Sequence, residues 1–139
     1  PKEDYLIFSK VETGKGSKDG LKRLQEPDNR MPGWRNRNSL WRYDLKSGLM
    51  QRLTFGSAGV YLADISQDGR HLLLQYSRFD ANKAPFQRTG ILRMDAYTGK
   101  TDTLLTDTAF VASARFSPDA KQLLISASPA AFNGISSEV

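Results

Sequence analysis

Few residues in this chain have the types and spacing that chemistry requires. His71 is the single histidine and there is no cysteine, so thiol nucleophiles, disulfides and cysteine-based or multi-histidine zinc sites fall away together. A general base needs a nucleophile and an orienting acid converging on it, whereas His71 follows an Asp-Gly turn and reads as a surface or strand-end residue. Gly56-Ser57-Ala58-Gly59 lacks the spacing of a G-x-S-x-G nucleophile elbow, and Ser17 has Lys15 where the first glycine of that motif would stand. Gly14-Lys15-Gly16-Ser17-Lys18 matches neither the P-loop spacing nor G-x-G-x-x-G and reads as a flexible loop. No segment has the dense Asp/Asn pattern of an EF-hand calcium loop. Asp44 and Asp95 suggest paired carboxylates, but each stands just before a glycine turn, where an aspartate accepts backbone N–H groups locally. The residues therefore predict no catalytic group, metal or cofactor within this stretch.

Those two aspartates belong to a repeat. Asn38 to Gly48 returns as Thr89 to Gly99, so Leu40, Arg42, Asp44 and Gly48 each have a counterpart 51 positions on. The same offset carries Ile65-Ser66-Gln67-Asp68-Gly69 onto Phe116-Ser117-Pro118-Asp119-Ala120. Leu40, Arg42 and Asp44 alternate with Trp41, Tyr43 and Leu45, the period of a strand, and Trp41, Tyr43, Leu62 and Phe116 are candidates for packing between sheets. Lys46-Ser47-Gly48 supplies a turn and Met50 to Thr54 a return strand; Tyr97-Thr98-Gly99 and Thr101 to Leu105 copy that hairpin. Val60 to Ile65 and His71 to Tyr76 form a second pair around an Asp-Gly turn whose chemistry permits positive φ. Its copy joins Val111–Phe116 to Gln122–Ala127, and there Ala120 replaces the glycine, which predicts an ordinary type I turn after Pro118 in place of a primed one.

A period of this length built from strands is the pattern of β-propeller blades. The predicted fold is all-β, a β-propeller fragment with four-stranded antiparallel blades. Residues 1–54 supply three strands of a partial blade, 55–106 one complete blade, and 107–139 two strands of another. Pro1 at the start and a tail without a stop-like sequence predict a piece of a longer protein. Strand edges left by such a cut invite self-association. No apolar run approaches the length of a membrane span, so no membrane partner is expected. The net charge is +5, and eight basic against four acidic residues between Lys10 and Arg37 account for most of it. These charges sit among Gly, Ser, Asp and Pro without base-stacking aromatics interleaved, which favours a solvated loop over a nucleic-acid surface. Leu21-Lys22-Arg23-Leu24 has the composition for one helical turn in that loop. The loops 10–37 and 78–88 leave from the same end of a meander, which is where recognition is expected.

Ile65-Ser66-Gln67-Asp68-Gly69-Arg70-His71-Leu72 and Phe116-Ser117-Pro118-Asp119-Ala120-Lys121-Gln122-Leu123 resemble the F/W-S-P-D-G-K-x-L/I signature of TolB-like propeller repeats. Leu40-Trp41-Arg42-Tyr43-Asp44-Leu45-Lys46-Ser47-Gly48, with Leu53-Thr54 after it, resembles that family's L-W-x-x-D-L-x-T-G and closing L-T. The long loops and the tail 129–135 are most similar to the N-terminal propellers of the prolyl oligopeptidase and dipeptidyl peptidase IV family of serine peptidases. That resemblance implies a non-catalytic propeller that gates or orients peptide substrate for a catalytic domain elsewhere in the parent chain, in an exported, periplasmic bacterial protein. It further implies that loop arginines, here Arg35, Arg37, Arg78 and Arg88, meet a substrate carbonyl or carboxylate. The alternative is a TolB-like module that binds a protein partner and catalyses nothing; an oligosaccharide lyase of the propeller type is disfavoured by the single histidine.

Overall fold

The computed structural model describes residues 3–14, 36–56, 58–80, 82–83, 86–108 and 111–127. Nine strands and no helix occur among them: β1 (Tyr5–Glu12), β2 (Arg37–Asp44), β3 (Met50–Arg52), β4 (Gly59–Ile65), β5 (His71–Phe79), β6 (Gln87–Asp95), β7 (Thr101–Thr108), β8 (Val111–Phe116) and β9 (Leu123–Ala127). They form three antiparallel sheets in simple chain order, β1–β3, β4–β7 and β8–β9. The suggested helical turn at Leu21 lies outside the described residues.

The strands lie where the alternation placed them, but β1, β5, β6 and β7 run further, β7 to Thr108, and β3 ends at Arg52 instead of Thr54. β1 continues past Phe8 to Glu12, and its ladder against β2 ends with Glu12 opposite Arg37. β5 and β6 likewise pair as far as Phe79 opposite Gln87, so both loops are shorter than their composition suggests. Polar residues in these stretches favour solvent but do not forbid a ladder, and pairing satisfies backbone groups that a loop would leave to water.

Leu72, Leu73 and Leu74 are each fully buried at the centre of β5. Successive side chains on a strand point to opposite faces, so a run like this must be covered on both sides. Leu72 and Leu74 join Val60 and Met94 against Leu40 and Leu53 of the first sheet, with Tyr5 and Ile7 packed alongside. Leu73 points the other way, into a cluster with Ile91, Val111 and Ala114 that Leu123 and Ile125 of the third sheet help to close. The second sheet is thus held between the first and third. Each such aliphatic side chain contributes about 1.5–3 kcal/mol relative to exposure.

Polar stitches fix how the sheets meet. Asn38 Nδ2 donates to the Val60 carbonyl across the first junction at 2.8 Å. At the second, Asp64 Oδ2 accepts from the Phe116 backbone N–H at 2.8 Å and Gln75 Nε2 donates to the Val111 carbonyl at 3.3 Å. A register shift between Leu62 and Asp64 marks a bulge in β4, which turns Asp64 toward the third sheet.

Two expectations need correction. Leu62 and Phe116 do pack between sheets, but Trp41 and Tyr43 belong to neither buried cluster. The face of β2 toward the second sheet is that of Leu40 and Arg42, so the aromatic pair lies on the outer face, with Lys10 Nζ 5.3 Å from the Trp41 ring centroid. Alternation separates two faces without saying which one is covered. The second concerns the turn after β4, where the Asp-Gly pair suggested a primed hairpin; the turn after β8 closes as the ordinary turn that Pro118 favours, with positive φ at neither central residue. In both, the fourth residue donates to the first, Gly69 to Ser66 and Ala120 to Ser117, each at 2.8 Å. The positive φ falls on that fourth residue, +69° at Gly69 and +55° at Ala120, and not on the aspartate before it. Ala120 therefore keeps the glycine's conformation, because the Ser and Asp side chains hold this turn in the same shape whichever residue ends it.

An alanine in the left-handed region is disfavoured by about 1–2 kcal/mol. Ala120→Gly is expected to raise the urea unfolding free energy by about 1 kcal/mol, and Gly69→Ala to lower it by a similar amount. Equal stability of Ala120→Gly and the parent in urea titrations would show that the turn relaxes around alanine.

Candidate functional site

The described elements have two unlike ends, and both are decided by where hairpins close. One end gathers the short turns after β2, β4, β6 and β8. There Asp44 Oδ1 accepts from the Lys46 and Ser47 backbone N–H groups at 3.1 and 2.8 Å and from Ser47 Oγ at 2.8 Å. Asp95 repeats this with Tyr97 and Thr98 at 3.0 and 2.9 Å. Asp68 binds Ser66 Oγ at 2.6 Å and the Arg70 N–H at 3.0 Å, and Asp119 does the same with Ser117 Oγ and the Lys121 N–H. Donors aimed at a carboxylate favour its charged form. Hydrogen bonds from Ser47, Ser66, Thr98 and Ser117 accordingly hold Asp44, Asp68, Asp95 and Asp119 below the usual carboxylate range. These carboxylates are committed to their own turns and are not poised for proton transfer.

The same end carries a latch between the first and second sheets. The Arg42 guanidinium lies between two aromatic rings, 5.1 Å from the Tyr5 centroid and 4.6 Å from that of Tyr97, and donates to the Ala96 carbonyl at 3.3 Å. Tyr5 and Tyr97 meet edge to face at 5.8 Å, and the Tyr5 hydroxyl donates to the Gly69 carbonyl. Burial, then the neighbouring Tyr97, pushes the Tyr5 hydroxyl above its ordinary pKa, which keeps it a donor. Arg42 also forms an ion pair with Asp44 at 3.3 Å. The composition gave no sign of this cluster, because alternation set Arg42 on the face away from Trp41 and Tyr43 and its two aromatic walls come from distant segments.

His71 opens β5 at this turn end. Its backbone N–H donates to Ser66 Oγ at 2.8 Å, while its buried Nδ1 has no hydrogen-bond partner. It lines an open cleft of about 260 Å³ with Arg70, Arg93, Asp95, Lys100 and Asp102, and the acids there are bound to the arginines, Arg70 to Asp95 and Arg93 to Asp102, each at 3.0 Å. Thr98 also lines it, its hydroxyl oxygen accepting from the Lys100 backbone N–H at 3.3 Å. A second cleft of about 510 Å³ opens between the first two sheets over Leu53, Val60, Leu74 and Met94, rimmed by Arg52 and Thr101. No group of His, Cys, Asp and Glu that could hold a metal occurs among the described residues, and no helix among them is long and apolar enough to cross a membrane.

The opposite end is where β1 passes to β2 and β5 to β6. Asn38 reaches Val60 there, and the adjoining Gly59 pairs with Ser77, so the ends of the two sheets are neighbours. Three of the four arginines singled out from the sequence stand here. Arg37 is opposite Glu12, and Arg78 is opposite Arg88 in the equivalent place of the second sheet. Arg37 donates to the Asn36 carbonyl at 2.9 Å. Arg35 lies outside the described residues. Glu12 is drawn toward Arg52, 3.1 Å away, and accepts from Ser39 Oγ at 3.2 Å. Chemically, guanidinium groups suit carboxylates and carbonyl oxygens.

Two measurements test the turn end. The depressed aspartates contribute stability that is present above their unfolded pKa, near 3.9, and is lost as pH falls through their lower folded values. The urea midpoint should therefore drop steeply below about pH 4, and less steeply in Asp95→Asn. Arg42→Lys keeps the charge but loses the two-sided stacking, and should cost about 1–2 kcal/mol in the same titration at pH 7. Compared with models of known protein families and with curated proteins, the chain matches none.

Proposed function

We propose that this chain is a segment of a β-propeller, with each sheet a blade, and that it serves a prolyl oligopeptidase-like serine peptidase as its non-catalytic, substrate-gating part. The observation that carries this reading is the contrast between the two ends. At the turn end every turn carboxylate is bound within its own loop. At the loop end pairing sets Arg78 opposite Arg88, and Arg37 stands at the matching place of the first sheet. The stacking of repeated sheets about Leu72–Leu74 supports the blade reading. His71 stands at the far end from the arginines, which fits a part that orients peptide while chemistry happens on another domain.

The ligand suited to such an end is a short peptide, held through a carbonyl or its terminal carboxylate by a bidentate guanidinium. A TolB-like interaction module is the second reading, favoured by the same separation of His71 from the arginines. It differs in that a folded protein, and not a short peptide, would saturate the loop end.

NMR titration of the 139-residue chain with a proline-containing tetrapeptide bearing a free carboxylate is the test. Saturable shifts at Arg37 and Arg88 are expected, weakened about tenfold or more in an Arg37→Ala, Arg88→Ala variant, with no cleavage of the peptide. Absence of any saturable shift would remove the peptide-gating reading, and turnover by the isolated chain would overturn the non-catalytic one.

A further inference from the structure

Two like charges are set against each other at the loop end of the second sheet. Arg78 stands directly opposite Arg88, and two positions further in Tyr76 stands opposite Gly90. Tyr76 packs on the side of this sheet that meets Leu40 and Leu53, so by alternation both arginines share that side. Like charges directly opposed in an antiparallel ladder weaken it. The ladder nevertheless continues on both sides of them, with Ser77 opposite Thr89 and Phe79 opposite Gln87.

Side chains brace this stretch. Gln87 Nε2 donates to Ser77 Oγ at 2.8 Å, and beyond it the Asp80 N–H donates to the Phe86 carbonyl at 2.7 Å. The Tyr76 ring lies across Gly90, where an added Cβ would collide with it, and its hydroxyl is 3.3 Å from Thr106 Oγ1. Thr106 sits in a bulge: Thr89 pairs with Thr108 and Ile91 with Leu105, which sets Thr106 and Asp107 against Gly90 alone. One tyrosine therefore spans β5, β6 and β7 beside the arginine pair. In the first sheet the same places hold Glu12 opposite Arg37 and Lys10 opposite Ser39, so the repeat does not require this arrangement. Breaking a local pairing rule on a braced, unrepeated part of a scaffold is the mark of a functional site.

We propose that Arg78 and Arg88 together receive the two carboxylates of one ligand end, that of a peptide terminating in aspartate or glutamate. A guanidinium takes one carboxylate through its planar fork, so a peptide with a single carboxylate occupies one arginine and a terminal acidic residue occupies both. Directly opposed residues have their Cβ atoms about 4.5–5.5 Å apart, and the two carboxylates of a terminal acidic residue are joined by a short carbon chain that lets them reach adjacent guanidinium groups together. The α-carboxylate falls to Arg88 and the side-chain carboxylate to Arg78. This inference rests on the peptide-gating reading and names its substrate class.

NMR titrations of the 139-residue chain with two proline-containing tetrapeptides test it, both with a free α-carboxylate and differing only in a terminal aspartate or asparagine. The aspartate peptide should bind about tenfold more tightly, as one further charge-assisted contact implies. In Arg78→Gln the ratio should fall to near one, and Arg78→Lys, which keeps the charge and loses the fork, should retain part of it. Arg78→Lys alone carries the comparison if circular dichroism shows Arg78→Gln unfolded. Equal affinity of the parent chain for the two peptides would overturn the two-carboxylate site and leave the peptide-gating reading standing, whereas binding of neither would remove both. A full tenfold ratio persisting in the Arg78 variants would overturn the assignment of the second carboxylate to this pair.

Discussion

Burial of β5 on both faces is the constraint on which the rest of this structure depends. A two- or three-stranded antiparallel sheet is marginal alone in water, because it cannot remove enough apolar surface to offset the ordering of its chain. Here the first and third sheets obtain that burial from a common neighbour, through Leu72 and Leu74 on one side and Leu73 on the other. Losing a methylene from this run would be felt in both clusters, since interiors are close-packed and the three side chains share one backbone. The bulge in β4 and the bonds of Asp64 and Asn38 then set the angle at which the sheets meet.

Repeated and unrepeated features have been put to different uses. The Asp turns recur because each satisfies its own backbone donors within a few residues, independently of the neighbouring sheet. Among the described residues the Arg42 latch occurs at the first junction alone. At the second junction His71 stands where Tyr5 does in the first, and Arg93, the counterpart of Arg42, turns to Asp102 instead. Polar stitches from Asp64 and Gln75 hold that second junction. The same unit is therefore locked to its two neighbours by different chemistry, even though its apolar contacts are alike.

The loop end is distinguished less by any single residue than by the pairing that assembles it. Arg37 and Arg88 occupy the same place in successive sheets, facing Glu12 in one case and Arg78 in the other. The same place in the ladder therefore takes an acid in one sheet and an arginine in the next with no change of fold.

By itself, the amino-acid sequence determined what is local. Strand positions follow from period-two alternation, turn positions from Asp, Ser and Gly, and the repeat from matching at a constant offset; each is a property of a few adjacent residues. The common end of Arg37, Arg78 and Arg88 was also legible, since a simple meander returns its hairpins to the same side. Only the tertiary structure decided which face of each strand is inward. Trp41 and Tyr43 looked like the covered side of β2 because they are aromatic, yet Leu40 and Arg42 are the covered side, because Tyr5 and Tyr97 build a place for a guanidinium there. Ala120 is the same lesson at one residue: local propensity argued against a positive φ, and the hydrogen bonds of Ser117 and Asp119 imposed it. Face and turn shape are settled by partners distant in the chain or by bonds to side chains, and neither leaves a mark in the periodicity of the segment itself.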